Sequence, residues 1–313
     1  MYTLSQEFSE VTMDNIISWL LNGDISIQYM THRDLLGSDE STLSRLQGRI
    51  PTEGFGARFL ASRTDTGHWG MHWYQKKWTS THYTLLDLKN LCVPESLAPC
   101  VEMVTRMFEE CALEDGGLNL TKSDLPSDVA VNGMILNYAG YFCGSDSRVS
   151  RLADHLLGCQ LADGGFNWDR SSQEGEPHAT ICVLEGLAQF QRSGSSQRQG
   201  EVAEALEQGA AFLLSNHLFM HAKDRRFSLL SYPYRYRFDL LHALEFLTDL
   251  GIPLHPEMLP ALEWLREKRK PDRLWYLEHV HQGNVHFEME AVRQPSRFIT
   301  LKALRILRIY GEE

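Results

Sequence analysis

Several signatures are missing from these 313 residues, and each absence narrows what the chain can be. No apolar run approaches the roughly 20 residues of a membrane-spanning helix, although attachment of one face to a bilayer surface stays compatible with that. No stretch is rich in lysine and arginine, and the formal net charge is −11 with a pI near 5.6. Phosphate neutralisation needs a basic surface, so nucleic acid is excluded as a partner. The six cysteines, Cys92, Cys100, Cys111, Cys143, Cys159 and Cys182, form no CxxC pair. They read as reduced, buried thiols rather than a disulfide framework. Gly54-Phe55-Gly56 lacks the third glycine and preceding strand of a dinucleotide fingerprint, and a P-loop, HExxH and GxSxG are absent. Glu7, Glu10 and Asp14 precede the apolar stretch 16–21, opposite to the basic start of a secretory signal. A cytoplasmic protein is expected.

Strand-like alternation is also scarce. What recurs is helical spacing of apolar residues, as in Leu240, Leu241, Leu244 and Leu247, or Leu301, Leu304, Ile306 and Leu307. The spacing predicts helix pairs: 99–113 with 128–142, 147–160 with 178–191, 201–214 with 236–250, and 256–268 with 297–310. Pro126, Pro177, Pro233 and Pro295 announce the second helix of each pair, because a missing N–H costs nothing in a first turn. These starts recur at roughly 50 to 60 residues, the range of repeat architectures. First helices carry charge on one side, as in Glu201, Glu204 and Glu207, whereas second helices are apolar around more of their circumference. That contrast predicts an outer, half-solvated ring and a buried inner ring. The expected fold is therefore an all-α, α/α toroid of about five to six helical hairpins around a central cavity. It is read as one domain over 1–313, with a degenerate first repeat in 1–50 and a β-hairpin-like insertion at 275–290. An open solenoid of helix pairs is the alternative, and the unequal loop lengths count against it.

The block Gln160, Gly164, Gly165, Phe166, Trp168 resembles the glutamine-tryptophan repeat of squalene cyclases and the related prenyltransferases. Its logic is physical: glycines turn the chain tightly, while the glutamine can satisfy backbone groups left exposed at a helix end. Weaker copies occupy 58–69 and 111–118. In class II terpene cyclases a DxDDTA signature follows such a block, and here the place reads Glu176, Pro177, His178, Ala179, Thr180. Glu176 falls on the first aspartate and His178 on the middle one, the family's proton donor. An imidazolium with a pKa near 6.5 is a far weaker acid than an activated carboxylic acid, so the resemblance does not carry the DxDD protonation with it. The protein prenyltransferase branch uses zinc held by Asp, Cys and His, which makes His178, Cys182, Asp239 and His242 a candidate zinc set; otherwise no cofactor is expected. In organisation the chain is similar to small single-domain bacterial squalene cyclase-like proteins, and Trp275, Glu290, Pro295, Ser296, Arg297 and Thr300 look like that group's closing repeat.

If second helices line the axis, their first turns and preceding loops build the cavity mouth. Trp73, Trp78, Asn132, Trp168, Tyr234, Tyr236, Arg297 and Thr300 are the ligand-binding candidates, the aromatic ones offering π faces to a carbocation, an alkyl chain or a sugar ring. Asp239, His178 and His82 are the catalytic candidates. Asp239 stands between an aromatic, basic run and an apolar one, while His82 and His178 hold similar positions two repeats apart and are expected to face each other. A helix-capping role is the competing account for both histidines, and two histidines with one carboxylate would also suit a metal. In the stretch HVHQGNVHFEME, His279, His281 and His286 are predicted to share a hairpin. The expected ligand is a small molecule, isoprenoid or lipid-like, held in an apolar aromatic cavity by a noncanonical cyclase, a prenyltransferase-like enzyme or a binding protein. Two readings stand beside it: a carbohydrate hydrolase or lyase on an (α/α) barrel, and a non-catalytic scaffold with a filled centre. The cavity itself discriminates among the three, being apolar, polar with carboxylates, or absent.

Overall fold

The protein, a computed structural model, is described for residues 12–121, 123–194 and 198–311. Thirteen α-helices lie among the described residues. Six form the inner ring: α2 (Ile25–Thr31), α5 (Thr81–Asn90), α7 (Val129–Cys143), α9 (Pro177–Arg192), α11 (Leu240–Asp249) and α13 (Arg297–Ile309). Around them stand α1 (Met13–Leu21), α3 (Glu40–Gln47), α4 (Gly54–Ala61), α6 (Ala98–Cys111), α8 (Ser147–Leu157), α10 (Gln199–Ser215) and α12 (Leu259–Glu267). Helix α13 packs on α2, which closes the ring. The architecture is the all-α toroid that the helical periodicity predicts.

Burial separates the two rings. Helix α8 buries Val149, Leu152, Ala153 and Leu156, one stripe of its surface. Helix α9 buries every residue from Ala179 to Leu184, since neighbours flank it on both sides and the axis lies in front. Helices α7 and α9 approach most closely, through Gly133 and Gly186: a Cβ on Gly186 would stand 2.4 Å from the Gly133 carbonyl oxygen. No larger residue fits that crossing.

Four tight turns, built alike, lead into inner helices. In each, the first residue's amide donates to the carbonyl four positions on: Thr64 to His68, Leu113 to Gly117, Leu161 to Gly165 and Lys270 to Leu274. The third residue after that donor sits at positive φ, Gly67 at 86°, Gly116 at 92°, Gly164 at 85° and Arg273 at 61°. A side chain then clasps the turn from above. Gln160 Nε2 donates to the Gly164 carbonyl (3.0 Å), and arginines do the same elsewhere, Arg63 Nε to Gly67 (2.7 Å) and Arg269 Nε to Arg273 (3.2 Å). From below, the first turn of the inner helix holds both backbone groups of the residue that ends the turn. Thr180 Oγ1 accepts from the Phe166 amide (2.8 Å) and donates to its carbonyl (3.1 Å). Thr81 does this for Trp69, Thr300 for Trp275, and Asn132 for Leu118. The glutamine-aromatic repeat is this clasp.

Two local expectations are corrected. Only Pro177 lies in a first turn; Pro126, Pro233 and Pro295 precede the capping residues Asp128, Asp239 and Ser296. The stretch 275–290 forms no hairpin among the described residues, only isolated bridges such as Ser231 to His279 and Tyr276 to Pro295. Its histidines bond across the fold instead, His281 Nε2 to the Tyr234 carbonyl (3.0 Å) and His286 Nε2 to Thr84 Oγ1 (3.0 Å).

Thr180→Val keeps the shape of the side chain and strands the amide and carbonyl of Phe166. Chemical denaturation is expected to register a loss of about 1–3 kcal/mol. Gly164→Ala faces positive φ and a Cβ contact of 2.4 Å with the Gln208 carbonyl, and is expected to cost at least as much, whereas Gly194→Ala, with open space around it, meets the φ penalty alone.

Candidate functional site

A cavity of about 690 Å³ runs along the axis, lined by the C-terminal halves of α2, α5, α7 and α9 and by α11 and α13 along more of their length. The mouth expected at their first turns is closed. Trp78 fills it, stacked on Tyr236 (6.1 Å, 8°) with its Nε1 donating to the Gln282 carbonyl at 2.6 Å. On the inner side of that plug lies Arg235, over the Trp78 ring (4.6 Å) and paired with buried Asp87 (3.4 Å). Arg235 is thus the floor of a cavity that opens at the opposite end.

The lining is charged. Six Arg and Lys side chains and five Asp and Glu side chains face the space, in a chain whose net charge is −11. Helix α11 directs His242, Glu245 and Asp249 inward, and α9 directs Glu185, Gln189 and Arg192, each set at the three-to-four spacing of one helical face. Neighbouring helices pair these groups: Glu185 with His242 (2.8 Å), Glu245 with Lys302, and Asp249 with Arg305 (2.6 Å). At the rim Arg33 pairs with Asp34 (2.6 Å). The Lys89 ammonium stands apart, with no hydrogen bond or ion pair among the described residues. Burial pushes its ammonium below the usual lysine range, opposed by the charge of Glu185.

His242 is held on three sides. Its Nδ1 meets the Arg237 carbonyl (3.0 Å), its Nε2 meets Glu185, and its ring stacks on Tyr234 (4.2 Å, 11°). Burial opposes the charged ring, yet Glu185 and Asp239 carry its pKa from 6.5 up to about 9. The same imidazolium, with Lys89 and Lys302, outweighs the burial of Glu185 and holds its carboxyl below the usual range. Glu185 keeps 28% of its side chain exposed, so an ionised carboxylate faces the cavity. Burial and the Glu245 charge hold the Tyr234 phenol protonated.

Of the residues singled out from sequence, Tyr234 and, from the zinc set, His242 line this cavity. Asp239 is fully buried behind it as the cap of α11, its Oδ1 accepting from the His242 amide (2.9 Å), and burial raises its pKa to about 7. His82 and His178 stand at the two ends of one run of aromatic rings, through Tyr83, Trp78 and Tyr236, and neither lines the cavity. The first packs among Tyr74, Tyr83 and Tyr138 with its pKa pushed to about 3 by burial; the second packs against Phe227 and Tyr236 with its pKa near 4 for the same cause. Glu176, aligned with the first aspartate of DxDD, caps α9 by accepting from the Ala179 amide (2.8 Å). Asn132 and Thr300 are clasp residues. Trp73 is buried with its Nε1 on Glu110 (3.0 Å), Tyr236 is half-buried in the plug, Trp168 is exposed, and Arg297 lies over the Trp19 ring (4.4 Å).

The zinc set does not assemble. His178 Nδ1 accepts from the Phe238 amide (2.7 Å), Cys182 Sγ donates to the Tyr236 carbonyl (3.5 Å), and both nitrogens of His242 are taken. No cluster of metal-ligating side chains occurs among the described residues. Glu185, Lys89, Glu245 and Lys302 were missed from sequence. Their signal in the sequence is charge at helical spacing on otherwise apolar helices, well past the first turns.

No protein-family model and no curated protein matches the sequence. Solved structures do share the fold. A possible member of the GH105 family from Salmonella enterica is 11% identical, with 99% of this chain and 98% of that one covered and a TM-score of 0.52. The polysaccharide lyase BACCELL_00875 is 11% identical over 94% of this chain and 96% of that one, TM-score 0.48. ent-Copalyl diphosphate synthase from Streptomyces platensis is 17% identical over 95% of this chain, TM-score 0.46, and this chain spans 50% of its length. At these identities the likeness concerns the toroid scaffold.

A histidine raised in the folded state contributes stability below its unfolded pKa and loses it as pH rises through the folded one. For His242 that window runs from 6.5 to about 9. Unfolding free energies of the wild type and His242→Gln, measured across that window, are expected to converge by about 1.4 kcal/mol per pH unit at most. Parallel curves would remove the imidazolium from the cavity wall.

Proposed function

We propose that the axial cavity binds a small, hydroxylated anion of the acidic-sugar class and that Glu185 acts on it as a base. The charged lining around an unpaired Lys89 carries this reading. An isoprenoid chain needs an apolar wall, and desolvating this one against hydrocarbon would leave ions without water. A sugar instead offers hydroxyl groups to Gln189, Tyr234 and the paired carboxylates, and its own carboxylate to Lys89.

Elimination fits these groups better than hydrolysis. Hydrolysis calls for two cooperating carboxylic groups, and Glu245 and Asp249 are each tied to a cation. For elimination, Lys89 neutralises the ligand's carboxylate, which acidifies the neighbouring C–H. Glu185 takes that proton, the glycosidic C–O bond breaks as the alkene forms, and the departing oxygen takes a proton from water admitted through the open end of the cavity. His242 keeps Glu185 ionised and oriented throughout.

Incubation with polyuronates is expected to yield the ultraviolet absorbance of an α,β-unsaturated carboxylate. Glu185→Gln should lower the rate about a hundredfold or more, the range for removing a general base, while Lys89→Met mainly weakens binding. Failure of every acidic sugar to bind, together with tight binding of a long-chain prenyl diphosphate, would overturn the reading in favour of isoprenoid handling.

A further inference from the structure

At the other end of the toroid a guanidinium is buried without a counter-charge. Arg237 retains 8% of its surface. Its Nη2 donates to the Tyr236 hydroxyl (3.3 Å), whereas Nε and Nη1 are buried with no hydrogen-bond partner. No carboxylate lies within ion-pair distance of it among the described residues. Arginine stays protonated in proteins, so a desolvated charge and two unmet donors persist in the fold, a costly arrangement unless something else meets them.

The surroundings point the same way. His279, on the loop that follows Trp275, has a buried Nδ1 without a partner. Tyr236 gathers these groups: Arg237 bonds its hydroxyl, the His178 ring packs against it at 5.9 Å, and His281 stacks on it (5.8 Å) and meets His279 (5.8 Å). His178 accepts the Phe238 amide at Nδ1 (2.7 Å), so its proton sits on Nε2, a further donor. Two carboxylates are near. Asp224 is gripped by Arg226 through Nε (2.8 Å) and Nη2 (2.6 Å); Glu176 caps α9 and stands 4.0 Å from His178 Nε2. Neither reaches Arg237. His178, Tyr236 and His279 are half-buried and open to solvent, which gives a small solute access.

We propose that Arg237, His178 and His279 form a second site, separate from the axial cavity, that takes one small oxyanion group, a carboxylate or a phosphate. Nε and Nη1 each share an edge of the guanidinium with Nη2, which keeps one N–H beyond its bond to Tyr236, so Nη2 with either neighbour gives the two-pronged edge that matches two oxygens of such a group, and the imidazoles donate from its flanks. This inference is independent of the chemistry assigned to Glu185.

Calorimetric titrations with inorganic phosphate and with acetate, at ionic strength fixed by chloride, test it on the wild type, Arg237→Gln, His279→Gln and Lys89→Met. One saturable anion per chain is expected in the wild type and in Lys89→Met, with the tighter of the two ions naming the group. Arg237→Gln should weaken it by about tenfold or more, the factor for losing one charge-assisted hydrogen bond. Retention in Arg237→Gln with loss in Lys89→Met would move the anion to the axial cavity and overturn the proposal. No saturable binding of either ion to the wild type would overturn it as well. Should Arg237→Gln fail to fold, His279→Gln decides, since unchanged affinity there is incompatible with the site.

Discussion

The toroid depends on a hydrogen-bonded clasp between the first turn of an inner helix and the tight turn that precedes it. A helix start leaves amides unmet, and the residue that ends each turn, Trp69, Leu118, Phe166 or Trp275, is buried with no water to bond. Thr81, Asn132, Thr180 and Thr300 address the turn's side of that problem, each satisfying one amide and one carbonyl at once. The indole Nε1 atoms of Trp69 and Trp275 extend the lock to the Phe59 and Leu265 carbonyls of the outer helices α4 and α12. Outer helix, turn and inner helix are thereby held in one register, which decides which face of each inner helix meets the axis.

That register explains the cavity wall. His242, Glu245 and Asp249 are directed inward together because α11 starts at the Asp239 cap and makes no slip thereafter. One turn of error would carry Asp249 away from Arg305 and Glu245 away from Lys302. Ion pairs between adjacent inner helices, rather than apolar contact alone, therefore specify how α9, α11 and α13 stand beside one another at this depth. Their desolvation is costly, and an open, polar cavity lowers that cost by leaving Glu185 partly in water.

The ring of helix pairs was legible in sequence because 3.6-residue periodicity and a GGF turn are local signals. The block QLADGGF carries its own donor at Gln160, its own positive-φ glycine at Gly164 and its own clasped residue at Phe166. The arginines at 63 and 269 replace the glutamine without resembling it, so the copies looked weaker than they are. What could not be read was the end at which the axis opens. That depends on Trp78 meeting Gln282 and Arg235 meeting Asp87, contacts between residues 204 and 148 positions apart. Asp239 illustrates the limit: its neighbours in sequence suggested a site, and a helix cap took it.

The two ends differ electrostatically, and the helices themselves contribute to the difference. Inner-helix C-termini gather at the open mouth, each with about half a negative charge, an effect confined to the last turn. Lys89 and Arg192 occupy last turns and answer that charge. Cations that served the dipoles alone would cluster only there. Lys302 and His242 lie in the first half of their helices, and Arg235 lies on the floor, beyond the reach of any C-terminus. Positive charge at that depth answers buried carboxylates and whatever enters the cavity. At the closed end, burial first and the charges of Arg237 and Arg235 second favour neutral rings, and the histidines there, His178, His279 and His281, all have depressed pKa values. One fold thus holds a protonated imidazole on one side of the Tyr234–Arg237 segment and neutral imidazoles on the other, with burial opposing charge on both and a carboxylate at 2.8 Å deciding the single exception.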